Sequence, residues 1–129
     1  MRKSVLVLSA GLSLFSTRLL AAPKITPLLS RDLAGRPGEE AAMLTVTYGP
    51  GEGDPVHRHD AQVFVYVLQG TVTMQVRGSS PVTLHEGQTF YEGPNDIHVL
   101  GRNASRTAPA RFLVFFVKKK ETPFVVPAR

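Results

Sequence analysis

The sequence predicts an all-β domain, and three observations carry that prediction. After residue 22 no stretch sustains the apolar period of a helix, short runs rich in β-branched and aromatic residues recur, and clusters of Gly, Pro, Asn and Asp separate those runs. The order of elements follows from the punctuation. A short apolar stretch near 25–29 is a first strand, and GRPG at 35–38 ends the segment that follows it. A strand over 40–48 runs into GPGEGD at 49–54; strands over 62–69 and 71–77 meet at Gly70; GSSP at 78–81 precedes a strand over 82–84. Strands over 89–92 and 97–102 flank GPND at 93–96, and the last strand covers 110–118. Seven or eight short strands so closely spaced predict a sandwich or a barrel.

Two of these strands are apolar on both faces. Alternation puts Val63, Val65 and Val67 on one side and Phe64, Tyr66 and Leu68 on the other. In the last strand Phe112, Val114 and Phe116 oppose Leu113, Phe115 and Val117. Something must cover the outer face. The N-terminal strand is expected to cover part of it and a second copy of the chain the rest, so a homodimer is predicted.

At 129 residues the chain has room for a single domain. Its 43% hydrophobic and 19% charged residues place it among foldable globular chains. Residues 1–22 read as a secretory signal peptide: Arg2 and Lys3, an apolar stretch from Val5 to Phe15, then Ala21 and Ala22. The uncharged run from Ser4 to Thr17 is 14 residues. A spanning helix needs roughly 18 to 20, so no permanent membrane anchor is expected. The chain is then exported to the periplasm or beyond, with one domain over 23–129.

A net charge of +5 suggests nucleic acid, but residues 1–22 hold three of the positive charges and no negative one, which leaves +2 for the domain. The one basic run, Lys118 to Lys120, reads as a solvated strand end, so nucleic acid is not an expected partner. There is no cysteine, which excludes disulfides, thiolate metal sites and cysteine nucleophiles. Any metal must bind nitrogen and oxygen.

His57 and His59 stand two residues apart in Pro55-Val-His-Arg-His-Asp60, ahead of an apolar strand. In extended chain such a pair points the same way, so both rings can reach one ion. The surroundings resemble the cupin superfamily. Gly51, His57, His59 and Gly70 in GEGDPVHRHDAQVFVYVLQG match its first motif, and Gly87 and His98 in GQTFYEGPNDIHVLGRN match its second. The resemblance covers residues 40–118. It implies a small double-stranded β-helix, the cupin or jelly-roll barrel, with one metal ion inside on His57, His59 and His98.

The chain departs from the pattern in three places. Val63 stands where the family has its glutamate ligand, Pro94 is displaced by one position, and Arg102 occupies the asparagine position with Asn103 beside it. Two residues are candidates for the missing donor. Glu92 shares the parity of Phe90, which such barrels turn inward, and a buried carboxylate needs a partner; pairing with Arg58 or Arg102 is the alternative to a metal. Gln62 lies three residues after His59, where a slight bulge turns its amide inward. His85, in a turn, is expected to be exposed; Tyr66 and Tyr91 face outward; Asn103-Ala-Ser105 reads as a loop asparagine rather than a glycan acceptor.

Three histidines and one oxygen donor suit divalent Mn, Fe, Co, Ni, Cu or Zn. Three functions are compatible with that site: a binding module for a small oxygen-rich ligand, a metal-dependent dioxygenase, isomerase or lyase, and a structural dimer without metal. With Glu92 as a ligand, no second inward acid or base is identified for an enzyme.

Overall fold

The computed structural model describes residues 21–128; the expected signal segment, but for its last two residues, lies outside this range. Among the described residues the regular structure is entirely strand: β1 (Lys24–Asp32), β2 (Glu39–Tyr48), β3 (Gly53–Asp54), β4 (His57–Arg58), β5 (Ala61–Gln69), β6 (Val72–Val76), β7 (Val82–Leu84), β8 (Thr89–Glu92), β9 (Ile97–Asn103), β10 (Ala110–Lys119) and β11 (Val126–Pro127). The eight strands expected from the sequence are present. Three two-residue strands join them, and all three belong to the rim of the site described below.

Two antiparallel sheets enclose the core. One runs β1-β2-β10-β5-β8; the other runs β11-β4-β9-β6-β7, with β3 also on β9. The inward residues are those the alternation selects: Leu44 and Val46 of β2, Val63 and Val65 of β5, Phe112, Val114 and Phe116 of β10, facing Val72 and Met74 of β6. Removing such side chains from water at roughly 25 cal/mol per Å² is the main stabilising contribution to the fold.

The turn from β5 to β6 explains why the first motif ends in glycine. Gly70 has φ +74°, and a Cβ there would lie 2.6 Å from the carbonyl oxygen of Pro109. Both the left-handed backbone and the close approach exclude a side chain.

One expectation about covering fails, and one about solvation. Strand β1 does not lie over the outer face of the sheet; it extends the sheet's edge beside β2, and all nine of its residues are exposed. An apolar strand with free backbone donors and acceptors gains ladder hydrogen bonds by edge pairing, which face packing does not supply, and Pro27 beside a register shift is tolerated only at such an edge. Phe64, Tyr66 and Tyr91 consequently stay exposed, while Leu113 and Phe115 are half-buried. Lys118 is not a solvated strand end either: it shares the inward parity of Phe116 and is buried.

Candidate metal centre

Strands β4 and β9 run side by side with His57 directly opposite His98, and His59 follows β4 immediately. All three imidazoles are buried, and one donor atom from each lies within 4.8 Å of the others. Phe116 packs edge-on against His59 at 5.5 Å and Phe90 lies 6.4 Å from His98, so apolar rings fix the orientation of two of the three.

Hydrogen bonds decide which nitrogens face the cluster. His57 Nδ1 lies 2.8 Å from the carbonyl oxygen of Pro55, and His59 Nδ1 contacts the carbonyl oxygen of Phe124. A carbonyl only accepts, so each Nδ1 carries the proton and each Nε2 presents a lone pair when the ring is neutral. Those two Nε2 atoms are 3.1 Å apart. Two lone pairs at that distance repel unless a cation lies between them, and the spacing is close to that of adjacent ligands on one ion with bonds of about 2.1 Å. His57 favours the neutral state, because burial lowers its pKa and the neighbouring His59 and His98 lower it further.

A carboxylate from the neighbouring strand stands beside the position where the first motif lacks one. Val63 of β5 pairs with Glu92 of β8, so the Glu92 side chain enters the barrel at the level of Val63, one strand over. Glu92 is buried, with Oε1 2.8 Å from His98 Nδ1 and Oε2 3.4 Å from His59 Nε2. The contact with His98 is close enough for charge attraction but poorly aligned as a hydrogen bond. Glu92 Oε1 and both nitrogens of His98 therefore remain buried without a hydrogen-bond partner. Burial raises the Glu92 pKa, but the contacts with His59 and His98 outweigh it and hold the carboxyl down to about 2. Burial likewise lowers the pKa of His98, and the Glu92 carboxylate more than reverses it, so His98 is raised. Neither Arg58, which pairs with Asp60, nor the exposed Arg102 meets Glu92.

Gln62 is not part of this cluster. β5 keeps regular register at Val117↔Gln62, no bulge turns the residue, and the side chain faces solvent as an acceptor for Tyr91 Oη. His85 is exposed. Asn103 is buried at the end of β9, where Nδ2 donates to the carbonyls of Gly49 at 3.0 Å and Ala108 at 2.7 Å. It pins two loops from a position one residue later than the resemblance places its asparagine, and its burial excludes a glycan.

The donors open onto a cavity of about 210 Å³ between the sheets, lined mainly by apolar side chains, among them Leu44, Val65, Met74 and Phe112. Among the described residues no lysine or arginine lines it. Two polar residues that the sequence reading missed do. Tyr48 is fully buried and donates its phenolic hydrogen to Asp54 Oδ2. Burial, reinforced by the Asp54 charge, raises the Tyr48 pKa, so the phenol keeps its proton. The parity of Leu44, Val46 and Tyr48 already turned the tyrosine inward; the approach of Asp54 depends on β3 pairing with β9 and had no local signal. That pairing is tight, since a Cβ on Gly53 would run into the carbonyl oxygen of Gly101. A Cβ on Gly101 would lie 2.9 Å from His98 Nε2 and 3.3 Å from Tyr48 Oη.

Oriented lone pairs, partnerless buried atoms and a donor set of nitrogen and oxygen all fit a divalent metal. The class these features define is a small antiparallel barrel with three buried histidines grouped so that they could hold a metal ion. The profile of the cupin domain matches residues 44–116, and the chain belongs to that family. Solved structures agree on the fold. Oxalate oxidase in complex with the substrate analogue glycolate aligns at a TM-score of 0.62 and 25% identity, over 88% of this chain and 62% of its own. A double-stranded β-helix protein of Klebsiella pneumoniae aligns at 0.63 and 18%, over 84% and 86% of the two chains. DMSP lyase DddQ of Ruegeria pomeroyi aligns at 0.60 and 23%, over 68% and 43%. This chain thus spans less than half of that lyase and less than two thirds of the oxidase. No curated sequence matches it.

Proposed function

We propose that this chain is a mononuclear metal-binding cupin of the exported compartment, holding one divalent transition metal on His57, His59 and His98 with Glu92 as fourth donor. The carrying observation is the pair of Nε2 atoms 3.1 Å apart, each ring fixed by a backbone carbonyl so that both lone pairs converge. The cavity beyond the donors suits a small molecule with an oxygen-bearing head for the ion. Its apolar walls favour a head on an apolar body, and without a cationic side chain they disfavour a ligand with several negative charges. A bound metal supplies Lewis acidity; the chain supplies orientation and exclusion of water.

The second reading is a dioxygenase, isomerase or lyase, and Tyr48 with Asp54 favours it. They are titratable groups in the cavity beyond the four donors, able to orient or exchange a proton with a bound hydroxyl. Export is supported by the basic, apolar and small-residue pattern of residues 1–22. A homodimer is supported by the exposed apolar patch around Phe64 and Tyr91.

The test is metal content by mass spectrometry of the purified protein beside a His57→Ala, His59→Ala variant. About one ion per chain is expected in the parent and almost none in the variant. Equal, near-zero content in both would leave a scaffold without metal.

A further inference from the structure

We propose that Lys118 is a positioning residue for the histidine cluster, acting through the C-terminal segment that it folds back over the barrel; this rests on the metal-binding reading. Its side chain is 4% exposed on the core face of β10, where an ammonium costs several kcal/mol unless it is paired. It is paired completely. Nζ meets Glu40 Oε1 at 2.7 Å and donates to the carbonyls of Thr122 at 2.7 Å and of Lys119 and Lys120 at 3.2 Å each. It also lies 5.2 Å above the ring of Phe124.

Every partner except Glu40 belongs to the end of β10 or to the chain leaving it. Gathering those carbonyls around one cation turns the chain back across the barrel mouth. Phe124 then rests on Phe116 at 4.9 Å, Phe124 and Val125 become cavity wall, and β11 pairs with β4 so that Pro127 lies opposite His57. The consequence reaches the site through one bond, because the carbonyl of Phe124 is the acceptor for His59 Nδ1–H. Without that acceptor the ring loses its reason to carry the proton on Nδ1. A proton moved to Nε2 caps the lone pair that the metal needs. His57 is independent of the segment in this respect, since its acceptor is Pro55.

The test uses the full chain with Lys118→Met, which keeps length but removes charge, and with Phe124→Ala, which loosens the segment but keeps its carbonyl. Ring ¹⁵N shifts of the metal-free proteins report each histidine's tautomer, and titration with Co²⁺ reports affinity. In both variants His59 is expected to gain the Nε2–H form while His57 does not, and Co²⁺ is expected to bind about 10- to 100-fold more weakly, as for other groups that orient a ligand. Unchanged His59 shifts with unchanged affinity overturn the proposal. If Lys118→Met does not fold, Phe124→Ala decides it by the same readings. A parent that binds no Co²⁺ removes the metal reading, and the tautomer shift still judges the positioning role.

Discussion

Among the described residues one acidic and one basic side chain other than histidine are buried, Glu92 and Lys118, and they differ in how fully they are satisfied. Lys118 has four oxygen acceptors for its three N–H bonds. Glu92 leaves Oε1 without a hydrogen bond, and neither nitrogen of the adjacent His98 has one. Leaving a buried polar atom unpaired costs on the order of 1–3 kcal/mol, so such atoms persist where something else is meant to meet them. The saturated cluster holds chain to chain. In the proposed function the unsaturated one holds donors in place for a metal ion.

That contrast predicts opposite sensitivities at the two sites. Glu92→Gln is expected to weaken metal retention by about 100-fold or more, with about 1 kcal/mol of stability lost, because a direct donor is removed while the fold's contacts remain. Lys118→Met should reverse the ranking. Removing one partner of a buried pair costs on the order of 3 kcal/mol, while metal weakens only through the tautomer of His59. Urea unfolding and metal competition on both variants measure the crossing. Equal stability losses would show that Glu92 is a structural charge like Lys118.

Gly101→Ala sharpens the comparison without touching a charge. The added methyl meets His98 Nε2 at 2.9 Å and is hemmed in by Tyr48 Oη at 3.3 Å, so the imidazole must shift out of line with His57 and His59. We expect metal affinity to fall by about tenfold or more, with an overpacking cost of about 1–3 kcal/mol. Retention of full affinity would remove His98 from the ligand set.

These two regions were unequally legible in the sequence. Strands were readable because Gly, Pro, Asn and Asp mark their ends and alternation marks their faces; His57 and His59 were paired by their spacing, and His98 was added by the resemblance to the cupin motifs. The place of Glu92 was not readable. Parity admitted Glu92, but only the pairing of β5 with β8 shows that Glu92 stands level with Val63. Gln62 was kept open for the same reason, since a bulge cannot be seen without the register of the partner strand. Lys118 was misread because a run of three lysines resembles a solvated end; its saturation comes from carbonyls that assemble only once the chain has turned. Asp54 and Phe124 reach the cavity through contacts distant in sequence, which no local pattern reports.

The outer apolar patch is a further unsatisfied region, this time of the surface. Phe64 packs at a tilt against Tyr91 at 5.3 Å and against the half-buried Phe115 at 6.0 Å, leaving Phe64 and Tyr91 exposed. With a second copy as the cover, Phe64→Glu should convert a dimer to a monomer in analytical ultracentrifugation while leaving metal content unchanged. A parent that sediments as a monomer would end the dimer reading.

The smallest expected effect tests the saturated cluster by pH. The hydrogen bond from Lys118, then that from Ser30, lowers the Glu40 pKa below its ordinary 4.5, against the opposing effect of burial; Lys118 and Lys120 are the charges facing it. Because the folded value is depressed, the stabilisation is complete above the ordinary carboxylate range and is lost as pH falls through the lowered value. Acid titration should therefore leave the Phe124 ring signals in place down to that range and then move them as Lys118 loses its counter-ion. Glu40→Gln should lack this step. Were the variant to show the same transition, the segment would be held by the carbonyl contacts of Lys118 alone, and the ion pair would be incidental to it.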